Sequence, residues 1–265
     1  MINTLNIYDL LINNGLDLFT GVPDSLLKDI CTCISDNTSA NKHIIAANEG
    51  AAIAIAAGHY LTTQKLSLVY MQNSGIGNAV NPLLSLADEK VYQIPMLLMV
   101  GWRGEPETKD EPQHIKQGEV TLALFNAMKI PYIIIDRDED KAKEQFLQLI
   151  IDIKTKETIY AAIIRKNTFS PYKLENKPKN DFEMSREEAL QTVIDSLTPQ
   201  DVVISTTGKL SRELFEYREQ KKEGHDKDFL TVGSMGHSAS IALGIALSAP
   251  NRLVYCLDGD GAMLM

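Results

Sequence analysis

The stretch His43–Gly58 reads HIIAANEGAAIAIAAG, and its reading decides the fold class. Its first five residues, His43–Ala47, form a short aliphatic run, which predicts a buried strand. From Glu49 to His59 the side chains are small and apolar at helical spacing, so a helix is expected directly after the strand. The unit recurs outward from there. Leu66–Tyr70, Pro95–Val100, Tyr132–Ile135 and Tyr160–Ile164 read as further strands, with helical spacing over Asn78–Leu86 and Glu139–Ile150. Near-continuous apolar strands alternating with helices predict an α/β fold, a parallel sheet flanked by helices on both faces.

Composition changes over Lys166–Met184, KNTFSPYKLENKPKNDFEM, where prolines, charges and amides replace aliphatics. That is a linker signature. Ser185-Arg186-Glu187-Glu188 then fits a capping box, so a new helix is expected to start there. Strands resume at Asp201–Ser205, Phe229–Val232 and Leu253–Leu257. The expected organisation is a first α/β domain over 1–170, a linker over 171–184 and a second α/β domain over 185–265. The second domain reads as C-terminally incomplete, because Leu253–Leu257 runs into Asp258–Met265 with no closing helix.

The 265 residues are 44% hydrophobic and 23% charged, the balance of a globular protein. A net charge of −9 opposes a phosphate backbone, so nucleic acid is not an expected partner. The apolar runs, Ile94–Val100 among the longest, fall far short of the ~20 residues that span a bilayer, and no membrane partner is expected. Cys31 and Cys33 have no histidine or further cysteine at zinc-ligand spacing. They read as reduced thiols of a cytoplasmic protein.

In such a sheet, ligands bind beyond the carboxyl ends of the strands. Four segments occupy such ends. Asp258-Gly259-Asp260-Gly261 sets two hard oxygen ligands among glycines, suited to Mg²⁺ bound with a diphosphate. Ser205-Thr206-Thr207-Gly208 offers hydroxyls to phosphate oxygens, and Gly233-Ser234-Met235-Gly236-His237 opens a small-residue stretch. Glu49 stands in a first helical turn among small apolar neighbours, where desolvation disfavours its charged form and suits it to share a proton with a ligand nitrogen.

With Gly21-Val22-Pro23-Asp24-Ser25, Asn48-Glu49-Gly50-Ala51-Ala52, Met71–Asn78, Gly101–Pro106, Gly233–Gly236 and Gly259-Asp260-Gly261 in this order, the chain resembles the thiamine-diphosphate-dependent 2-oxo acid decarboxylases. The resemblance covers essentially the whole chain. It implies a pyrimidine-binding first domain, a diphosphate-binding second domain, thiamine diphosphate and Mg²⁺ as cofactors, and a homo-oligomer with the active site between subunits. On that resemblance Glu49 hydrogen-bonds the aminopyrimidine N1′, and the Gly233 carbonyl accepts from the 4′-amino group. Met235, beside Gly236, props the cofactor in its bent form. Asp260 ligates the metal with Asp258 in support. Thr206, Thr207 and the N–H groups of Gly261 and Ala262 contact the diphosphate.

For a small-molecule 2-oxo acid substrate, Ser25 aligns with the position that meets the carboxylate. The segment Met71–Asn78 carries no histidine, unlike many relatives, and offers Asn73 and Ser74 instead. By the same resemblance the expected substrate is a 2-oxo acid ending in phosphonate, with sulfonate as the runner-up. Arg103, Lys109 and His114, in a loop read over Gly101–Gly118, are the expected anion partners. A nucleotide-binding dehydrogenase is disfavoured by the lack of a glycine fingerprint after the first strand. A non-catalytic fragment or assembly subunit is the remaining alternative.

Overall fold

A computed structural model describes residues 1–174 and 181–265, so 175–180 of the expected linker lie outside the described residues. The chain divides into two compact units, Met1–Lys177 and Pro178–Met265. The first runs α1 (Thr4–Asn13), β1 (Leu16–Gly21), α2 (Lys28–Asn37), β2 (His43–Ile45), α3 (Glu49–Thr63) and β3 (Leu66–Gln72). It continues with α4 (Ile76–Pro82), β4 (Leu97–Gly101), α5 (Pro112–Met128), β5 (Tyr132–Ile134), α6 (Glu139–Lys156) and β6 (Tyr160–Ile164). The strands form one six-stranded sheet in the order β2-β1-β3-β4-β6-β5, parallel throughout.

The pleat explains the unbroken apolar runs. Leu68 and Tyr70 of β3 join a core with Ile7, Ile34 and Phe146 from α1, α2 and α6. Val69 and Met71, between and beyond them, join a second core with Ile53, Ala79 and Phe125 from α3, α4 and α5. Alternate residues thus bury on opposite faces, and neither face tolerates a polar repeat.

Several local readings change; in the first unit three of them bear on the site, and in the second a short helix, Asp260–Met263, follows the last strand where none was expected. β1 is absent from the sequence analysis because Asp17 and Thr20 interrupt its apolar pattern, although Thr20 is fully buried. β2 ends at Ile45, two residues early, because Asn48 turns to cap α3 by accepting the Ala51 N–H at 2.9 Å. The expected loop Gly101–Gly118 is helical from Pro112 onward, with proline at the start where its missing N–H costs nothing. His114 therefore sits in a helix.

The second unit runs α7 (Arg186–Asp195), β7 (Val202–Ser205), α8 (Lys209–Lys221), β8 (Asp228–Leu230), α9 (Ser238–Ser248), β9 (Val254–Leu257) and α10 (Asp260–Met263). Ser185 and Glu188 form the expected capping box. The sheet order is β8-β7-β9, again all parallel. Among the described residues, no helix is long and apolar enough to cross a membrane.

Candidate functional site

Parallel strands put the carboxyl ends of β1, β2, β3 and β4 on one edge of the first unit, and the residues following those ends gather there. Glu49 opens α3 and is only 5% exposed. Asn78 Nδ2 donates to its Oε2 at 2.8 Å. Its other oxygen, Oε1, has no hydrogen-bond partner among the described residues. The Glu49 side chain lies flat against the backbone of Gly75, where a Cβ would overlap its carboxyl group. This is a buried acceptor with one oxygen held and one left for a ligand. The sequence analysis quoted Asn78 within its motif but gave it no role; its signal was its place on the same strand-end segment as Gly75.

A second cluster forms around a residue the sequence analysis missed. Asp110 accepts from Arg103 Nε at 2.9 Å and Nη2 at 2.5 Å, and from the N–H groups of Gly104 and Glu111 at 2.8 Å each. His114 Nδ1 lies 3.0 Å from the same carboxylate. The remaining guanidinium nitrogen, Nη1, donates to Ser25 Oγ at 2.8 Å. The Arg103 hydrogen bonds hold the Asp110 carboxyl far below its ordinary range. Ser25, Arg103 and His114 are thereby brought together, but through an anion that already satisfies Arg103. Lys109 is exposed on the loop.

Asn73 departs from the expectation that it faces a substrate. It is 1% exposed, and its amide clamps the Arg103 backbone, donating to the carbonyl at 2.8 Å and accepting from the N–H at 3.2 Å. Nδ2 also reaches Thr121 Oγ1 at 2.8 Å. Both amide hydrogens are thus spent, leaving none to donate to an anionic ligand. Ser74 is exposed and accepts from Gln72 Nε2 at 2.6 Å. Trp102 donates its indole N–H to the Gly118 carbonyl at 2.9 Å, packing beneath this loop.

Asp24, between β1 and α2, is 6% exposed. Its Oδ2 takes the Leu27 N–H at 3.3 Å, while Oδ1 is buried with no partner among the described residues. Burial raises its pKa, outweighing its backbone hydrogen bonds and the attraction of Arg103 and His114. A carboxyl raised in the folded state favours folding below its unfolded value and loses that contribution as pH rises through the folded one. Asp24→Asn should therefore stabilise the protein by about 1 kcal/mol near neutral pH, a Tm rise of about 2–4 °C. The gain should vanish at acid pH, and thermal melts across pH check both the size and the sign.

In the second unit, three strand ends present the other expected residues. Thr206 follows β7, is 6% exposed, and its Oγ1 is buried without a partner among the described residues. Its methyl group is 3.7 Å from where a Cβ on Gly259 would lie, so the turns after β7 and β9 are neighbours. Thr207 Oγ1 donates to the Val232 carbonyl at 2.9 Å, tying the β7 turn to the segment after β8. That segment holds Gly233, Met235, which is 38% exposed, and Gly236, whose φ of +91° favours glycine. Asp258 and Asp260 follow β9. Each accepts the N–H of its following glycine, Gly259 at 2.9 Å and Gly261 at 2.8 Å, and Ala262 is buried behind them. Among the described residues, no three His, Cys, Asp or Glu side chains gather as a metal site. A carboxylate pair with an unpartnered hydroxyl fits Mg²⁺ only where diphosphate oxygens complete the coordination.

Comparison with known proteins bears on the family. Residues 5–126 match the model of the thiamine pyrophosphate enzyme N-terminal TPP binding domain, and residues 206–265 match that of the C-terminal TPP binding domain. The chain is 34% identical over 267 aligned residues to phosphonopyruvate decarboxylase of Streptomyces hygroscopicus, covering 95% of this chain and 64% of that relative. It thus spans just under two thirds of that relative's length. It is 36% identical over 126 residues to sulfopyruvate decarboxylase subunit alpha of Methanococcus maripaludis, covering 48% of this chain and 72% of that subunit. Benzoylformate decarboxylase of Polynucleobacter necessarius shares the fold, with a TM-score of 0.50 at 16% identity, over 78% of this chain and 39% of that one. Two domain models matched in chain order, one in each compact unit, and near-complete alignment to a relative at 34% identity lead to one conclusion: the chain belongs to the thiamine pyrophosphate enzyme family.

Proposed function

We propose that the protein is a thiamine-diphosphate- and Mg²⁺-dependent carboxy-lyase. It converts 3-phosphonopyruvate to phosphonoacetaldehyde and CO₂, a step of phosphonate biosynthesis. The observation that carries this reading is Glu49, buried at the strand ends with Oε1 unengaged, in a chain 34% identical to a phosphonopyruvate decarboxylase. The reading includes cytoplasmic action as a homo-oligomer with the site shared between subunits, the first unit binding the pyrimidine and the second the diphosphate.

When bound, thiamine diphosphate supplies the nucleophilic carbon and the electron sink that release of CO₂ from a 2-oxo acid needs. Glu49 Oε1 holds the proton at the aminopyrimidine N1′, and Asn78 fixes the carboxyl orientation through Oε2. Ser25 Oγ accepts from Arg103, which leaves its own hydrogen to donate to the substrate carboxylate. Thr206 Oγ1, Thr207 and the N–H groups of Gly261 and Ala262 hold the diphosphate. Asp260 and Asp258 hold Mg²⁺, while Gly233 and Met235 hold the cofactor ring.

CO₂ release from phosphonopyruvate and sulfopyruvate, measured side by side with both cofactors, tests the substrate. Phosphonopyruvate is expected to be preferred; sulfopyruvate preference would move the assignment to the sulfonate acid, a reading that the identity to the alpha subunit favours. Asp260→Ala should weaken thiamine diphosphate binding at least about tenfold, since even outer partners of metal sites carry that much. High Mg²⁺ should restore part of the loss in a fluorescence titration, and unchanged affinity would remove Asp260 from the metal site.

A further inference from the structure

We propose that Asp110 is a positioning residue for the substrate: by holding one edge of the Arg103 guanidinium it fixes the remaining nitrogen on Ser25 and so keeps the Ser25 hydroxyl hydrogen for the substrate carboxylate. The inference deepens the decarboxylase reading and rests on it for the contact between Ser25 and that carboxylate. The sequence expectation makes Arg103 and His114 direct partners of the anion. Asp110 instead takes the Nε and Nη2 edge of Arg103 with its two oxygens, and His114 Nδ1 lies 3.0 Å from the same group. The edge with which an arginine grips a carboxylate in two-pronged fashion is therefore occupied. The third nitrogen, Nη1, donates to Ser25 Oγ at 2.8 Å.

Valence sets the direction of each bond. A guanidinium carries hydrogens and no acceptor, so Nη1 must donate and Ser25 Oγ must accept. The Ser25 hydrogen is then left to point elsewhere. A cationic donor also draws charge from the hydroxyl, which makes that hydrogen a better partner for an anion. The Arg103 hydrogen bonds keep Asp110 ionised, so its carboxylate only accepts, and His114 Nδ1 carries the hydrogen of their contact. Without Asp110 the Arg103 fork is released to turn and to take the substrate carboxylate itself. Ser25 then loses the bond that orients it.

The loop that carries Asp110 is itself held in place. The buried Asn73 amide clamps both backbone groups of Arg103. Asp110 accepts the N–H groups of Gly104 and Glu111 at 2.8 Å each, which anchors its carboxylate to the loop on both sides. Gly104 and Gly118 let the loop press onto α5: a Cβ on the first would overlap the His114 carbonyl, and one on the second the Gly104 carbonyl. The Trp102 indole is tied to Gly118 beside them. Asp110 and Ser25 share no hydrogen bond with each other among the described residues, and Arg103 is the link between them. A role exercised through that link differs measurably from a merely structural one.

A double-mutant cycle tests the role, read on KM for phosphonopyruvate and on calorimetric binding of 3-phosphonopropanoate. That analogue keeps both acid ends and lacks the keto group, so its binding does not depend on turnover. Asp110→Asn and Ser25→Ala should each raise KM about tenfold with kcat changed less, and weaken the analogue by a similar factor. The double variant should be no worse than Ser25→Ala, whereas independent losses multiply to about a hundredfold. Arg103→Lys should behave like Asp110→Asn, because an ammonium lacks the fork that reaches both partners, and it replaces Asp110→Asn in the cycle if that variant does not fold. Glu105→Gln, on the same loop but paired with Arg165 at 2.9 Å, should leave KM unchanged. A wild-type KM in Asp110→Asn, a multiplicative double variant, or an equal loss in Glu105→Gln overturns the inference. If phosphonopyruvate is turned over and the cycle is multiplicative, the positioning role fails while the enzyme reading stands. If no 2-oxo acid is turned over but analogue binding shows the coupled loss, the enzyme reading fails and the positioning role stands.

Discussion

Glu49→Ala is expected to lower turnover about a thousandfold while the protein stays folded and still binds diphosphate. The reasoning starts from burial. Glu49 is 5% exposed, and its only side-chain hydrogen bond among the described residues is the one from Asn78. Removing the carboxyl takes away the group proposed to exchange a proton with a bound ring. It leaves Asn78, which is exposed and can turn to water, so the cost in stability is small. Glu49→Gln should be nearly as inactive, because the amide keeps the shape but cannot carry the proton. Single-turnover CO₂ release measures the effect, and melting curves with a diphosphate titration show whether the fold survives. Wild-type turnover in either variant would refute the role.

The second large effect is expected at Gly75, which has no chemistry of its own. It ends the short turn Asn73–Gly75 after β3, and a Cβ there would overlap the Cγ and carboxyl group of Glu49. Gly75→Ala must push the acid aside, and a displacement of about 1 Å is enough to cost roughly a hundredfold in rate. Overpacking should also destabilise the protein by about 1–3 kcal/mol. Gly58→Ala is the matched control, because a Cβ on that α3 glycine meets nothing within 4 Å. It should be neutral or stabilising by up to about 1 kcal/mol through helix propensity. Activity and Tm of both variants decide the point. A fully active Gly75→Ala protein would mean that Glu49 needs no fixed position.

The contrast between these residues shows where the sequence was legible. Glu49 stood out because a charged residue in a run of alanines and isoleucines breaks a local pattern. Gly75 and Asn78 belonged to a recognisable segment, yet their roles depend on α3 lying across the end of β3, a long-range contact. β1 escaped notice because Asp17 and Thr20 mimic a polar loop, and Thr20 is buried only because helices cover both faces of the sheet. Asp110 escaped because an aspartate in a charged loop carries no periodic signal. Arg103, seven residues before it, and His114, four after it, meet only when the loop turns back and α5 begins at Pro112.

The sequence by itself determined the alternation of strand and helix, the parallel class of the sheet, the capping box at Ser185, and the placing of Glu49, Thr206 and Asp258–Gly261 after strands. These follow from side-chain periodicity and turn chemistry, which act over a few residues and are written locally. Only the tertiary structure decided which charges are already satisfied. Arg103 is satisfied by Asp110, the Asn73 amide hydrogens are spent on the Arg103 carbonyl and Thr121, and Asp24 Oδ1 is left without a partner among the described residues. A side chain's free capacity to bind is what remains after its neighbours are counted. Those neighbours come from distant segments, 78 residues apart in the case of Ser25 and Arg103.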